Sequence, residues 1–139
     1  MKKIFGLTLL LILALTLAGC GSNSQSLTGT TWQWIAMQET VPASQSVVPD
    51  PQNYTIKFND DGTAEIKADC NGVGATYTTN GSNITITLGA GTLMYCGDAS
   101  QDTIYKESLS KVDSYSIDGS GLHLNFPNDG GKMDFKAAK

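Results

Sequence analysis

Three cysteines, a single histidine and a few clustered acids are the residues of this chain whose chemistry goes beyond packing. Cys70 and Cys96 bracket a stretch whose middle carries Asn80 and Gly81 between alternating apolar and polar runs, a hairpin signal. In an exported chain the default reading of the pair is a disulfide; a reactive thiol pair is the alternative. No Lys, Arg or His flanks either cysteine to stabilise a thiolate. A bridge closing a loop of this length stabilises a domain by ~3–4 kcal/mol. His123 lies between Leu122 and Leu124, so period two points it away from the core. No Ser, His and acid constellation stands out along the chain, although distant residues can converge in space. Asp60 and Asp61 precede Gly62 in a turn signal and lack the ladder of oxygen ligands that a calcium loop needs. Gly72 and Gly74 fit a bulge in a curved sheet, not a phosphate loop, because no Walker or dinucleotide fingerprint surrounds them. The expectation is therefore no catalytic residue, no metal and no cofactor.

The first cysteine has a different setting. Lys2 and Lys3 are followed by a mostly apolar run from Ile4 to Leu17, then by Ala18, Gly19 and Cys20, the layout of a secretory signal. The run is too short for a comfortable membrane span. Leu17 to Cys20 resembles a bacterial lipobox, in which the cysteine receives a diacylglycerol and the chain is cut just before it; an ordinary cleaved signal with an incidental cysteine is the alternative. This reading divides the chain into a signal at residues 1–19, a flexible tether at 20–27, rich in Ser, Asn and Gln, and one domain at 28–139. It implies attachment to a membrane through Cys20, in the cell envelope, facing the periplasm or the exterior. The net charge is −4, loss of Lys2 and Lys3 makes it more negative, and there is no arginine. Nucleic acid is excluded as a partner on that account. The expected state is a monomer.

The elements follow from apolar periodicity. Trp32, Trp34 and Ala36 recur at period two, with Thr31, Gln33 and Ile35 between them, as a first strand with its tryptophans inward. Residues 38–53, with Pro42, Pro49 and Pro51, read as a long surface loop in which Val41, Val47 and Val48 form a candidate partner-binding patch. Tyr54, Ile56 and Phe58 turn through Asp60, Asp61 and Gly62 into Ala64, Ile66 and Ala68, with Lys57 opposite Glu65. A turn at Asn80 and Gly81 places Tyr77 opposite Ile84, Ala75 opposite Ile86 and Val73 opposite Leu88. Leu93 and Met94 fall in a glycine-broken strand candidate. Ser100 can cap a helix over residues 101–111, whose stripe of Tyr105, Leu109 and Val112, with Ile104 beside it, suits a plug across a barrel opening. Two closing hairpins pair Ile117 with Leu122, Tyr115 with Leu124, Phe126 with Met133 and Leu124 with Phe135. The sum is a mainly β, small antiparallel barrel-like domain of eight or nine strands with one α-helix.

Gly29, Thr30 and Trp32, then Asp69, Cys70, Asn71, Gly74 and Tyr77, then Thr92, Met94 and Cys96, resemble the META domain of HslJ-type heat-shock lipoproteins. The resemblance covers about residues 27–137. It implies a barrel-like domain of exported proteins associated with envelope stress, with no family catalytic residues. Only the structural pair Cys70 and Cys96 carries over. Asp69 stands where the family commonly has glycine, which a turn tolerates. The functional expectation is a non-catalytic, membrane-anchored envelope lipoprotein that binds or protects other envelope proteins. An inhibitor of a secreted or envelope peptidase is the alternative, since some secreted relatives look like peptidase inhibitors. A hydrophobic-ligand carrier comes third, because large inward side chains leave little empty space.

Overall fold

The computed structural model describes residues 25–139, so the expected signal and Cys20 lie outside the described residues. Its nine strands form one antiparallel sheet. They are β1 (Thr31–Thr40), β2 (Ala43–Val47), β3 (Tyr54–Phe58), β4 (Thr63–Ala68), β5 (Asn71–Asn80), β6 (Asn83–Gly91), β7 (Ser114–Asp118), β8 (Gly121–Asn125) and β9 (Gly131–Ala137). Among the described residues one α-helix, α1 (Asp102–Leu109), connects β6 to β7. The sheet closes on itself because β1 pairs with β9 from Trp32↔Ala137 to Glu39↔Gly131. The opposite edge of β1 is shared, with β3 along residues 31–33 and β2 along residues 36–40. Closure removes most of the unpaired edge that an open sheet of this size exposes.

The ring is filled. Trp32, Trp34, Ile56, Phe58, Tyr105, Leu109, Leu122, Leu124, Met133 and Phe135 are almost completely buried, each large apolar side chain contributing roughly 1.5–3 kcal/mol. Helix α1 plugs one end, where Tyr105 stacks on Trp34 at 5.1 Å between centroids and meets Tyr54 edge-on at 5.6 Å. Leu109 and Val112 are buried with Tyr105, whereas Ile104 is exposed. Ser100 accepts the Asp102 N–H at 3.3 Å, as expected of a capping side chain, although Gln101 occupies the cap position.

Several expectations change. Residues 38–53 are not a long loop: β1 runs on to Thr40, turns at Val41 and Pro42, and returns as β2, and Pro51–Asn53 forms a 3-10 turn. The prolines masked a hairpin whose second strand, exposed along most of its length, carries no apolar alternation. In β1 a bulge between Trp34 and Ala36 shifts the inward position from Ala36 to Met37. The β5–β6 register lies two residues from expectation, with Tyr77↔Ile86 and Ala75↔Leu88, because Gly81 and Ser82 form the loop and Gly81 takes the first, positive-φ place at 59°. Val73 faces Gly91 across a bulge, where a Cβ on Gly91 would lie 2.7 Å from the Gly72 carbonyl oxygen. A 3-10 turn at Pro127–Asp129 likewise moves the last hairpin to Leu124↔Met133 and Leu122↔Phe135. The β3–β4 pairing of Lys57 with Glu65 and the β7–β8 pairing of Ile117 with Leu122 stand as expected. Each two-residue slip preserves which side chains face inward.

Candidate functional site: a braced apolar loop at the disulfide

At the end of the barrel where β4 turns into β5, Asp69 takes a positive φ of 59° and Cys70 bonds to Cys96 with the Cα atoms 5.6 Å apart. Asn71 is the next residue. The alternation of β5 turns it inward with Val73 and Ala75, so it is buried and must satisfy its amide within the protein. Its Oδ1 accepts the Met94 N–H at 2.7 Å and the Thr92 hydroxyl at 2.9 Å. Its Nδ2 donates to the Met94 carbonyl at 3.0 Å and to Asp102 Oδ2 at 3.0 Å. Both acceptor positions and both donor hydrogens are thereby used. The Thr92 hydroxyl also accepts the Gly72 N–H at 3.1 Å, and the Thr92 N–H reaches the Gly72 carbonyl at 3.0 Å.

One buried side chain and one disulfide thus fix the segment from Thr92 to Cys96, which forms no strand. The side chains on this fixed backbone point outward: Leu93 is 90% exposed, Met94 58% and Tyr95 79%. Three consecutive large apolar residues left in water beside a filled core are an unusual feature for a small domain. The Tyr95 hydroxyl bonds to Asp98, and that contact raises its pKa. Asp102 joins the loop to α1. Burial works against its ionisation, but hydrogen bonds from Lys106, Thr103 and Asn71, with the Lys106 charge, hold its carboxyl below the usual range.

A second polar cluster lies outside the barrel. His123 and Asp134 face each other across β8 and β9, with Nδ1 2.5 Å from Asp134 Oδ1. On the other side of the ring, Nε2 lies 3.1 Å from the Ser120 hydroxyl and 3.3 Å from Asp118 Oδ1. These are the partners of a serine–histidine–aspartate relay, brought together by the β7–β8 turn. The Ser120 hydroxyl, however, makes its shorter contact to Asp118 at 2.5 Å, and the Ser120 N–H also goes to Asp118 at 2.7 Å. That arrangement directs the hydroxyl proton away from the imidazole and engages the adjacent amide that an oxyanion would need. Those two bonds, followed by His123, hold the Asp118 carboxyl well below the usual range. The cluster pins a turn to β9.

Val41 and Val47 of the sequence-predicted patch are exposed, as expected, but Val48 is buried and its N–H bonds to the Ile35 carbonyl at 3.0 Å. The patch is therefore two separated valines on the β1–β2 hairpin. Cys70 and Cys96 are brought together; Cys20 lies outside the described residues. Sequence reasoning read Leu93 and Met94 as strand residues, passed over Tyr95 and gave Asn71 no role. The available signal was three apolar residues between a threonine and a cysteine with no periodicity to bury them. Among the described residues no group of three His, Cys, Asp or Glu side chains could hold a metal ion, and no helix is long and apolar enough to cross a membrane.

A closed, filled β-ring plugged by a helix and cross-linked at one end places the chain among small antiparallel barrel domains. The chain belongs to the META domain family, whose sequence model matches residues 25–139. Among solved structures it is similar to a protein from Burkholderia xenovorans determined by NMR, with 22% identity, 81% of this chain and 84% of that one covered, and a TM-score of 0.64. It is also similar to a DUF4847 family protein from Bacteroides vulgatus determined by crystallography, with 16% identity, 79% and 93% covered, and a TM-score of 0.59. At such identities both carry the fold alone. No curated protein matches the chain.

Proposed function

We propose that this META domain protein is a non-catalytic, lipid-anchored envelope protein that binds other envelope proteins through the loop of Leu93, Met94 and Tyr95. The observation that supports the reading is the combination of exposed apolar side chains with a backbone fixed by Asn71 and the disulfide. A pre-ordered apolar loop loses little conformational entropy on docking, so its buried area converts efficiently into affinity. A ligand carrier is disfavoured because Trp32, Trp34 and Phe58 occupy the interior of the ring. Attachment to the membrane rests on Cys20 and the apolar run before it.

Two measurements test the reading. The Cys20→Ser chain should leave the membrane fraction that retains the native chain. Capture from envelope extract, compared between that chain and the same chain carrying Leu93→Ser and Tyr95→Ser, should drop at least tenfold for a specific partner. Identical capture profiles would remove the loop from the proposal, and unchanged membrane association would remove the anchor.

A further inference from the structure

We propose that the uncovered half of β6 is a self-association edge, on which the β6 of a second copy of this chain adds as an antiparallel strand about a two-fold axis at Thr87. The proposal is independent of the loop at Leu93. β6 and β7 pair only at Asn83↔Ser114. The Ile84 N–H bonds to the Asp113 carbonyl at 2.9 Å and the Tyr115 N–H to the Ser82 carbonyl at 2.8 Å, so β7 continues beside the β5–β6 turn and not beside the rest of β6. From Thr85 onward β6 is paired on its β5 side alone. Backbone groups alternate in direction along a strand, so Ile86 and Leu88 point their N–H and C=O the way Ile84 does, away from β5. The opposing strand agrees, because Tyr77, the partner of Ile86, sends its own N–H to the Gly62 carbonyl at 2.8 Å. Among the described residues neither a strand nor a loop amide pairs with this edge.

Unpaired strand backbone is matched by another strand, and three features make β6 its own complement. Pairing centred on Thr87 sets Ile86 opposite Leu88 of the second copy and Leu88 opposite its Ile86, so every free N–H of these residues meets a free carbonyl of the other copy. Leu88, only partly buried in one copy, gains the neighbouring Ile86 as cover. The segment Asn83–Gly91 contains no charged residue and no proline, so two copies of a chain with net charge −4 meet there without facing acids and without a missing donor. β2, which also has an open side, is short and bounded by Pro42 and Pro49, a common way of blunting an edge. Finally, an added strand must stop before Ile84, whose N–H is taken by Asp113. In this register the residue arriving there is Ala90, and at that point Gly89 and Ala90 together oppose Gly74 in a bulge that bends β6.

A seam this short makes a reversible dimer. Sedimentation velocity of the full chain in detergent, over a hundredfold range of concentration, should show it. Thr87 is exposed, so its substitution leaves the core of one copy untouched. Thr87→Lys and Thr87→Glu, which set like charges against each other at the axis, should each weaken the dimer at least tenfold. An equimolar mixture of the two should restore it, an outcome that misfolding of either variant would not give. Oxidation of Thr87→Cys should cross-link the dimer, since opposed residues at the axis lie about 4.5 Å apart between Cα atoms. Thr85→Cys, whose two copies lie roughly 13 Å apart along the strands, should not cross-link. A chain that stays monomeric, a mixture that fails to restore association, or equal cross-linking from both sites would each overturn the inference. Leu93→Ser with Tyr95→Ser should leave the dimer intact, which separates this edge from the loop. If the chain is monomeric while Leu88→Pro, which removes one edge donor, abolishes capture of an envelope protein, the edge serves a foreign strand and self-association falls.

Discussion

Replacing Asn71 by alanine removes one amide group and leaves four partners to find other bonds. Two of these are the N–H and carbonyl of Met94, one is the Thr92 hydroxyl, and one is the ionised Asp102 carboxylate. Neutral hydrogen bonds contribute about 0.5–1.5 kcal/mol each and a charged one about 1.5–3. Their simple total would be roughly 3–7 kcal/mol, but Met94 is more than half exposed and water can replace its lost bonds. The expected destabilisation is therefore about 2–4 kcal/mol, with the disulfide intact. In a domain of this size that corresponds to a fall in Tm of roughly 8–16 °C. Thermal and urea unfolding of the oxidised protein measure it directly, and a fall under about 3 °C would refute the claim that this side chain braces the loop. Asn71→Asp separates hydrogen bonding from packing. The aspartate has nearly the same shape but sets a second carboxylate in the position that faces Asp102 and the Met94 carbonyl, so the variant should be less stable at pH 7 than at pH 4, relative to wild type, as protonation relieves the repulsion. A variant whose deficit is the same at both values would point to shape alone.

Three further outcomes are expected. The Tyr105 hydroxyl is buried without a hydrogen-bond partner among the described residues, and burial pushes its pKa well above the ordinary value; Tyr105→Phe should therefore leave stability unchanged or raise it by about 1 kcal/mol in urea unfolding, and a clear loss would contradict the assignment. Removing both Cys70 and Cys96 by alanine substitution should lower stability by ~3–4 kcal/mol, read as a lower urea midpoint, and an unchanged midpoint would count against the disulfide as a staple. Asp102, held below its ordinary value of 3.8, gives stability that is complete above that value and is lost as pH falls through the lower folded value, because the unfolded chain takes up the proton first. Asp102→Asn should accordingly be less stable than wild type at pH 7, with the difference shrinking below about pH 4 in a pH series of melts; a difference that grows toward acid would reverse the sign of the argument.

Much of the architecture was legible without coordinates. Alternation in Tyr54, Ile56 and Phe58 and in Ala64, Ile66 and Ala68 identified strands, inward faces and one register, since a half-buried strand leaves a period of two in the sequence. The helical stripe of Tyr105, Leu109 and Val112 identified the plug for the same reason, at its own period. Elements with no buried face leave no such trace, which is why β2 was hidden among its prolines. Registers were exposed to error at loops, where one positive-φ glycine or a 3-10 turn decides the spacing and a slip of two residues preserves the pattern of faces.

The candidate site divides along the same line. The chain by itself determined a β-domain closed over tryptophans, a cysteine pair within reach of a disulfide and a family pattern that includes Asn71, Thr92 and Met94, because burial patterning and cysteine spacing are local or countable. Only the tertiary structure decided that Asn71 faces inward at the barrel's end, 3.0 Å from a helix carboxylate and from the carbonyl of a residue on a loop more than twenty positions later. It also decided that Leu93 and Tyr95 project into solvent, and that Ser120, His123 and Asp134 meet but with the serine turned to Asp118. Hydrogen bonds between residues distant in sequence depend on the relative placement of whole strands, and no periodicity in the chain encodes that placement.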